Sequence, residues 1–319
     1  MPNSRIISTG SYLPKKVVTN DDLSKTVDTS NEWIIERTGI KKRHVSAENE
    51  LTSDLSAQAA LAAIEQAGIS AEAIDLIILA TTTPDLTFPA TATTIQAKIG
   101  AKNAFAFDIQ AVCSGFVYAL SIADKFIKSS QIKTALVIGA DTLSRIVDWS
   151  DRNTCVLFGD GAGAVILQAC DDEKLGIIAS NLHSDGKLND ILKTTGGVAS
   201  NQKSGFIAMA GKEVFKHAVD KMCKSVLEAL KQANLSEKDI DLLVPHQANL
   251  RILDSVACRL QLPKEKVIIT VQDHANTSAA SIPLALDFAN RSKKIKEKDV
   301  VVLEALGGGL TWGSIILRW

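Results

Sequence analysis

The hydrophobic pattern changes most clearly in the stretch from residue 105 to residue 128. An apolar run that contains Phe105, Phe107 and Ile109 predicts a strand. Further along, apolar residues recur at the spacing of one helix face, at Phe116, Val117, Leu120, Ala123 and Ile127. The pattern therefore predicts a buried strand that passes into a buried helix, with Cys113 at the junction.

The position of Cys113 at the start of a helix suggests a chemical role. Unpaired backbone N–H groups and the positive end of the helix dipole favour a thiolate at such a position. Cysteines of this kind have pKa values lowered to roughly 3.5 to 7.5. We therefore expect Cys113 to be a nucleophile with a lowered pKa. The alternative is a small buried cysteine whose only role is packing.

Helices and strands alternate along the whole chain, and their order repeats at an offset of 166 residues. Residues 60–76 align with residues 226–242 without a gap, and eight of the 17 positions are identical. This repeat predicts an α/β fold of two pseudo-twofold-related halves, residues 1–170 and 171–319. Sheets covered by helices on both faces would then give five layers in the order αβαβα.

Polar or flexible segments follow several predicted strands, as Cys113 does. Strands are predicted over 241–244, 267–271 and 300–303, and they are followed by PHQAN (245–249), HANTS (274–278) and GGG (307–309). Functional groups in α/β proteins collect beyond the carboxyl ends of strands. Because the repeat sets the Cys113 segment opposite residues 274–278 of the other half, we expect these ends to form one site between the halves.

These residue types suit acyl transfer through a thioester. Cys113 would carry the acyl group, and its N–H together with the Gly308 N–H would bind the tetrahedral oxyanion. His246 and Asn276 would donate hydrogen bonds to a second carbonyl, where an enolate develops when a carboxylate is lost. A histidine at a strand end is often only structural, and for His274 we prefer that interpretation.

Composition and charge narrow the class of protein. The 35 basic and 36 acidic residues leave a net charge of −1, which gives no general attraction to nucleic acid or to a membrane surface. No apolar run approaches about 18 residues, and the start, MPNSRIISTG, lacks the pattern of a signal peptide. Five cysteines without a CxxC pair argue against a disulfide framework or a zinc site. We therefore expect a cytoplasmic protein without a metal.

Four strings, DIQAVCSGFVYALSIAD, VPHQANLRI, HANTSAAS and EALGGGLTWGS, occur in this order and carry a family resemblance. They resemble β-ketoacyl-[acyl carrier protein] synthase III, the initiating condensing enzyme of type II fatty acid synthesis. The early segments STGSYLP, TNDDL and DTSNEWIIERTGI match as well, so the resemblance covers essentially the whole chain. It implies a thiolase-like αβαβα fold, a homodimer and a catalytic triad of Cys113, His246 and Asn276.

The resemblance also implies substrates and binding residues. An acyl-CoA primer, expected to be acetyl-CoA, would acylate Cys113, and malonyl carrier protein would then lose CO2 and attack the thioester, without a cofactor. The implied coenzyme A and phosphopantetheine channel contains Trp33, Arg37, Arg152, Gly211, Phe215 and Asn249. Carrier protein would dock on Arg251, helped by Lys216 and Arg259, and Phe88 would close the acyl pocket.

The sequence departs from the family pattern at a few positions, and some alternative functions remain. Ala275 stands where many members have glycine, and Val112 and Ser114 stand where others have alanine. A thiolase would carry a second catalytic cysteine late in the chain, yet none follows Cys258, and an elongating synthase would have histidine in place of Asn276. A secondary-metabolic acyltransferase with the same triad remains an alternative. A non-catalytic carrier-binding subunit is disfavoured by the intact triad.

Overall fold

A computed structural model describes residues 2–319. Its strands are β1 (Asn3–Tyr12), β2 (Lys16–Thr19), β3 (Lys42–Val45), β4 (Leu76–Ala80), β5 (Phe105–Ile109), β6 (Thr134–Thr142), β7 (Asp160–Cys170), β8 (Gly176–Ser184), β9 (Leu192–Thr194), β10 (Ile207–Met209), β11 (Leu242–Pro245), β12 (Val300–Gly307) and β13 (Thr311–Arg318). Its α-helices are α1 (Asn20–Leu23), α2 (Asn31–Thr38), α3 (Thr52–Ala67), α4 (Thr91–Ile99), α5 (Gly115–Lys128), α6 (Val198–Asn201), α7 (Gly211–Gln232), α8 (Leu250–Arg259), α9 (Val271–His274) and α10 (Ser281–Arg291).

Two mixed sheets form the frame of the protein. The first has the strand order β1-β7-β6-β4-β5, in which β4 is parallel to both β5 and β6 and the other neighbours are antiparallel. The second has the order β11-β12-β13-β8, with β11 parallel to β12 and the other pairs antiparallel. The first sheet takes its strands from the chain up to Cys170, and the second takes its strands from Gly176 onward. The change from one sheet to the other therefore lies next to the boundary that the sequence repeat predicts.

The predicted strand over residues 267–271 does not form. Only an isolated bridge joins Val267 to Leu243, so the second sheet has four strands where the first has five. The side chain of Gln247 takes the place of a strand partner here. Its Oε1 accepts hydrogen bonds from the N–H groups of Thr270 at 2.8 Å and Val271 at 3.1 Å, and its Nε2 donates to two carbonyl oxygens. A buried amide therefore satisfies the backbone that a sheet ladder would otherwise pair.

The sheets and helices stack in five layers. Helices α5 and α10 lie between the sheets, and their apolar residues form one core with strands of both sheets. Helices α3 and α4 cover the outer face of the first sheet, and α7 and α8 cover that of the second. Because α5 and α10 are covered on both sides, they are apolar around most of their circumference. The predicted αβαβα architecture is confirmed.

A fourth apolar cluster lies outside these layers. It joins Ile34 and Ile40, around α2, to residues between β6 and β7 such as Cys155 and Val156, and to Leu253 of α8. These segments of the first half thus pack against each other and against the second half. They build one wall of the cavity described next. Within residues 2–319, no helix is both long and apolar enough to span a membrane.

Candidate active site

A cavity of about 1890 Å³ lies beyond the carboxyl ends of the central strands. Cys113 follows β5, His246 follows β11 and Gly308 follows β12, and all three line this cavity together with Asn276. The structure therefore brings the predicted nucleophile, both predicted donors and the glycine loop into one space. Two different sheets contribute to it, as expected from the positions of these residues at strand ends.

Cys113 lies in a tight turn that immediately precedes α5. The turn spans Val112–Ser114, and the Ser114 hydroxyl bonds the Ala111 carbonyl oxygen at 2.7 Å and the Thr311 hydroxyl at 2.8 Å. Val112 has a φ of 49°, a left-handed conformation that is strained for a β-branched residue. The second half of the chain thus clamps the strained turn that carries the nucleophile.

The expectation of a lowered pKa for Cys113 is wrong for the free protein. Burial raises the pKa of this thiol to about 12, and the charge of Asp141 acts in the same direction. Cys113 is only 6% exposed, and removing a thiolate from water outweighs the favourable field at the helix N-terminus. Cys113 is therefore a neutral thiol at neutral pH and has to lose its proton as it reacts.

Asp141 is a buried carboxylate that the sequence analysis missed. Its Oδ1 accepts hydrogen bonds from the Thr82 N–H at 2.7 Å and from the hydroxyl groups of Thr81, Thr82 and Thr83. Its Oδ2 accepts from the Ala279 N–H at 3.2 Å. Asp141 therefore ties the loop after β4, from the first half, to the turn that follows Asn276 in the second half.

His246 is a neutral, buried imidazole. It is 2% exposed, and burial lowers its pKa to about 3. Its backbone N–H donates to the Glu304 carbonyl oxygen of β12 at 2.8 Å, which anchors the residue beside the glycine loop. Its Nδ1 lies 2.6 Å from the Ser281 hydroxyl oxygen, a second contact that the sequence analysis missed. The neutral ring has one N–H donor and one acceptor nitrogen.

Asn276 is held so that its amide nitrogen is available. The Oδ1 atom accepts a hydrogen bond from the Ser278 N–H at 2.9 Å, which leaves Nδ2 as the free donor. Its backbone N–H donates to the Leu157 carbonyl oxygen, and its own carbonyl accepts from the Gly159 N–H. Residues between β6 and β7 thus fix Asn276 on both sides. His274, in contrast, does not line the cavity, and burial lowers its pKa to about 4.

Most of the predicted channel residues line the same cavity. Trp33, Arg37, Gly211, Phe215 and Asn249 do so, whereas Arg152 lies just outside the lining. The Arg37 and Arg152 guanidinium carbons lie 4.7 Å and 5.1 Å from the centre of the Trp33 ring. Both contacts are within the range of cation–π attraction. Arg152 is also paired with Asp28 at 3.2 Å.

The Asn249 side chain caps α8. Its Oδ1 accepts a hydrogen bond from the Ile252 N–H at 3.0 Å, which leaves Nδ2 free to donate. An amide donor of fixed orientation therefore faces this part of the cavity.

The three predicted docking cations differ in their surroundings. Arg251 is exposed and lines the mouth of the cavity, whereas Lys216 and Arg259 are exposed outside it. Arg259 lies 3.0 Å from Asp220, which also pairs with Lys224. Within residues 2–319, neither Arg251 nor Lys216 has an acidic partner. These two cations are therefore the ones available to an acidic partner.

Phe88 does not line the cavity of its own chain. Residues 84–87 of the same loop do, but the Phe88 side chain is 82% exposed and that of Leu86 is 61% exposed. A single chain therefore does not close its acyl pocket with Phe88. The loop presents two large apolar side chains to its surroundings instead.

The sequence analysis missed Asp141, and it gave no role to Ser281, Ser278, Gln247 or Gly307, which lie in segments that it singled out. Asp141 and Ser281 act on the site through contacts between distant segments. Ser281, for example, is 35 residues from His246 in the chain. The only available signal was the density of small hydroxyl residues in the HANTSAAS segment, which does not reveal a partner.

Comparisons with known proteins agree on one family. The family model for 3-oxoacyl-[acyl-carrier-protein] synthase III matches residues 107–186, and the model of its C-terminal region matches residues 230–319. A beta-ketoacyl-[acyl-carrier-protein] synthase III of Ehrlichia canis (strain Jake) is 60% identical over 318 residues, and the alignment covers 100% of both chains. The protein of the same name from Wolbachia pipientis wMel is 59% identical over 320 residues, again with 100% of both chains covered.

Solved structures show the same likeness. The 3-oxoacyl-[acyl-carrier-protein] synthase III of Aquifex aeolicus VF5 is 49% identical with a TM-score of 0.95, covering 99% of this chain and 100% of that one. The Pseudomonas aeruginosa PAO1 synthase III is 43% identical with a TM-score of 0.94, covering 99% and 98%. The priming β-ketosynthase of the R1128 polyketide pathway is 34% identical with a TM-score of 0.94, covering 99% and 96%.

Proposed function

This chain belongs to the 3-oxoacyl-[acyl-carrier-protein] synthase III family, and on that premise we propose that Cys113, His246 and Asn276 are its catalytic residues. The protein is a condensing acyltransferase that starts type II fatty acid synthesis. It joins an acyl-CoA primer to malonyl carrier protein and forms 3-oxoacyl carrier protein, CoA and CO2. The observation that carries the assignment of the residues is the single cavity that unites one thiol with two oriented neutral donors.

In the first half-reaction, Cys113 attacks the thioester carbonyl of the primer, for which we propose acetyl-CoA. The new S–C bond forms, the bond from that carbon to the CoA sulfur breaks, and the thiol proton leaves with the CoA thiolate as CoA–SH. The N–H groups of Cys113 and Gly308 stabilise the oxyanion of the tetrahedral intermediate. Each such donor is typically worth about 2.7 to 4 kcal/mol of barrier.

In the second half-reaction, malonyl carrier protein loses CO2 beside His246 and Asn276. The electron pair of the broken C–C bond moves into an enolate, whose oxygen accepts hydrogen bonds from His246 Nε2–H and Asn276 Nδ2–H. The enolate carbon then attacks the carbonyl carbon of the acyl group on Cys113. The bond from that carbon to the Cys113 sulfur breaks, and the sulfur leaves as a thiolate that takes a proton from water. Since decarboxylation itself supplies the carbanion, no base has to remove a proton from carbon. The neutral state of His246 suits this role.

The proposed chemistry needs no cofactor, because the thioester and the departing carboxylate supply the activation. CoA and phosphopantetheine thioesters are substrates. Neither nucleic acid nor a membrane takes part in either step. A cytoplasmic location stays a prediction from the sequence.

We assign the entrance of the cavity to the CoA moiety and the phosphopantetheine arm. Trp33, with Arg37 and Arg152 against its ring, offers a flat surface and two positive charges to an adenine nucleotide. Gly211, Phe215 and Asn249 line the same cavity as Cys113, and we assign them to the phosphopantetheine arm. Arg251 and Lys216, with help from Arg259, would attract the acidic carrier protein.

A homodimer accounts for the exposed apolar residues of the first half. Among the described residues, 2–319, β4 is the only strand that pairs with β5, which is therefore an edge strand, and Phe105 on it is 46% exposed. An open, apolar edge invites pairing with a second chain. We propose that two copies pair along β5 and that Phe88 of each enters the acyl pocket of the other. This arrangement reconciles the predicted role of Phe88 with its exposure in one chain.

A secondary-metabolic ketosynthase is the second candidate function. The R1128 priming β-ketosynthase favours it, since its fold matches as closely as those of the synthases III. Its 34% identity lies well below the 60% of the Ehrlichia canis synthase III. Dependence on carrier protein and the choice of primer would separate the two.

A Cys113→Ala variant tests the proposed residues directly. With acetyl-CoA and malonyl carrier protein, we expect the variant to bind carrier protein normally and to form no 3-oxoacyl product. Cys258→Ala, which changes an exposed cysteine, is the matched control and should retain condensation. Condensation by the Cys113→Ala protein would contradict the nucleophile assignment.

A further inference from the structure

The proposed function requires His246 to donate a hydrogen bond from Nε2, and the following inference rests on that requirement. A neutral imidazole holds its proton on one nitrogen only, and the other nitrogen is an acceptor. The hydrogen bond made by the second nitrogen decides which of the two carries the proton. The partner of Nδ1 therefore determines whether the catalytic nitrogen can donate.

Ser281 is that partner. Its hydroxyl oxygen lies 2.6 Å from His246 Nδ1, and both residues are 2% exposed. The same oxygen accepts a longer hydrogen bond, 3.3 Å, from the Gln247 N–H. Neither water nor a charged group is needed to explain the contact.

The Gln247 contact indicates the direction of the hydrogen bond. Because the Ser281 oxygen accepts from Gln247, its own proton is free to be donated. If His246 instead donated from Nδ1, the hydroxyl proton would need another acceptor, and none is present for it within residues 2–319. A buried donor without a partner is unfavourable, because it has given up its hydrogen bond to water. The arrangement with Ser281 as donor and Nδ1 as acceptor leaves no such group.

We propose that Ser281 is a positioning residue that donates its hydroxyl proton to His246 Nδ1 and thereby keeps the ring proton on Nε2, facing the substrate. Ser281 is the first residue of α10 and follows directly on the turn Ser278–Ala280. The N–H of Ser278 orients the Asn276 amide in the same way, by occupying its acceptor oxygen. One short segment of the second half, residues 276–281, therefore sets both donors that hold the enolate.

The two half-reactions separate this role from a general effect on folding. In Ser281→Ala we expect decarboxylation of malonyl carrier protein to slow by about 10- to 100-fold, somewhat less than the loss of a direct oxyanion donor. Acylation of Cys113 by acyl-CoA should stay within about twofold of the original rate, since His246 does not serve that step. Ser8→Ala is the matched control, because it also removes a buried hydroxyl that donates one hydrogen bond, here to the Ala63 carbonyl oxygen in the first half. Both steps should be unchanged in the control.

A measurement on the unchanged protein tests the tautomer independently of activity. With ¹⁵N-labelled histidine, the NMR signals of His246 should show a proton on Nε2 and an unprotonated, hydrogen-bonded Nδ1. A proton on Nδ1 would overturn the proposal, as would a Ser281→Ala variant that decarboxylates at the original rate. If the unchanged protein did not decarboxylate malonyl carrier protein, the proposed function would fail, while the NMR result would still decide the role of Ser281.

Discussion

Gly307 lies directly against the backbone of Cys113. A Cβ atom added to Gly307 would come within 2.7 Å of the Cys113 amide nitrogen and of the Ala111 carbonyl oxygen. Both neighbours are backbone atoms and cannot rotate away. The end of β12 and the nucleophile turn belong to different halves of the chain, so their close approach depends on the missing side chain at position 307.

Substituting Gly307 with alanine should therefore push the nucleophile turn away from the glycine loop. A displacement of about 1 Å in a catalytic site can cost on the order of 10²-fold in rate, and we expect a loss of that size in Cys113 acylation. Single-turnover acylation by acyl-CoA, followed by intact mass, measures it. Gly186→Ala is the control, because no atom of residues 2–319 other than its own chain neighbours lies within 4 Å of the added Cβ. Equal rates for the two variants would show that the contact has no catalytic role.

The raised pKa of Cys113 predicts a particular pH dependence. Below a pKa of about 12, the thiolate fraction rises tenfold with each pH unit, so alkylation of Cys113 by iodoacetamide should accelerate throughout the neutral and mildly alkaline range. Peptide mapping at several pH values gives the rate for Cys113. A plateau reached near neutral pH would mean that the thiolate already exists in the free protein, as the sequence alone suggested.

Ala275 should tolerate glycine unusually well. Its φ of 59° and ψ of −163° lie in a region that is essentially restricted to glycine and that costs about 1 to 3 kcal/mol. In Ala275→Gly, relief of this strain offsets the lost methyl burial and the added chain entropy, so the free energy of unfolding should change by less than about 1 kcal/mol.

Ala285→Gly is the comparison for this prediction. Ala285 is equally buried, but it lies within α10, where glycine should cost about 1 kcal/mol in helix propensity plus about 0.8 kcal/mol for the methyl group. Chemical denaturation of both variants measures the difference. Equal destabilisation would show that the backbone at Ala275 stores no strain.

Arg251 should matter for carrier protein and not for the primer. In Arg251→Glu, repulsion from an acidic carrier should raise the apparent KM for malonyl carrier protein at least about tenfold, and the defect should shrink at high salt. Self-acylation by acyl-CoA should barely change. Lys238→Glu, an exposed charge reversal outside the cavity lining, is the control. If self-acylation fell as much as carrier use, Arg251 would have a role other than docking.

Local sequence patterns correctly predicted the individual strands and helices around Cys113 and the layered arrangement of the sheets. The apolar run and the helical spacing around Cys113 correspond to β5 and α5, and the internal repeat anticipated two sheets with helices between them. The rule that functional groups lie beyond strand ends placed Cys113 and His246 near one another, whereas the strand expected before Asn276 does not form. These inferences succeed because periodicity and strand polarity are properties of short segments.

The failures involve contacts between distant segments. The strand expected over residues 267–271 is replaced by the side chain of Gln247, and no spacing rule anticipates that substitution. The pKa of Cys113 depends on how completely the folded chain buries it, so a helix start alone predicted the wrong direction. Ser281 reaches His246 across 35 residues. Such effects become visible only when segments distant in the chain are packed together.

The most direct test of the central claim follows the acyl group itself. The protein is exposed to a panel of acyl-CoA thioesters, the adduct is weighed and mapped, and malonyl carrier protein is then added. We predict an adduct on Cys113 that disappears in the chase while CO2 and 3-oxoacyl carrier protein form, and the best donor identifies the primer. An adduct that survives the chase, or that moves to a small alcohol or amine, would contradict the assignment of this chain as an initiating condensing enzyme.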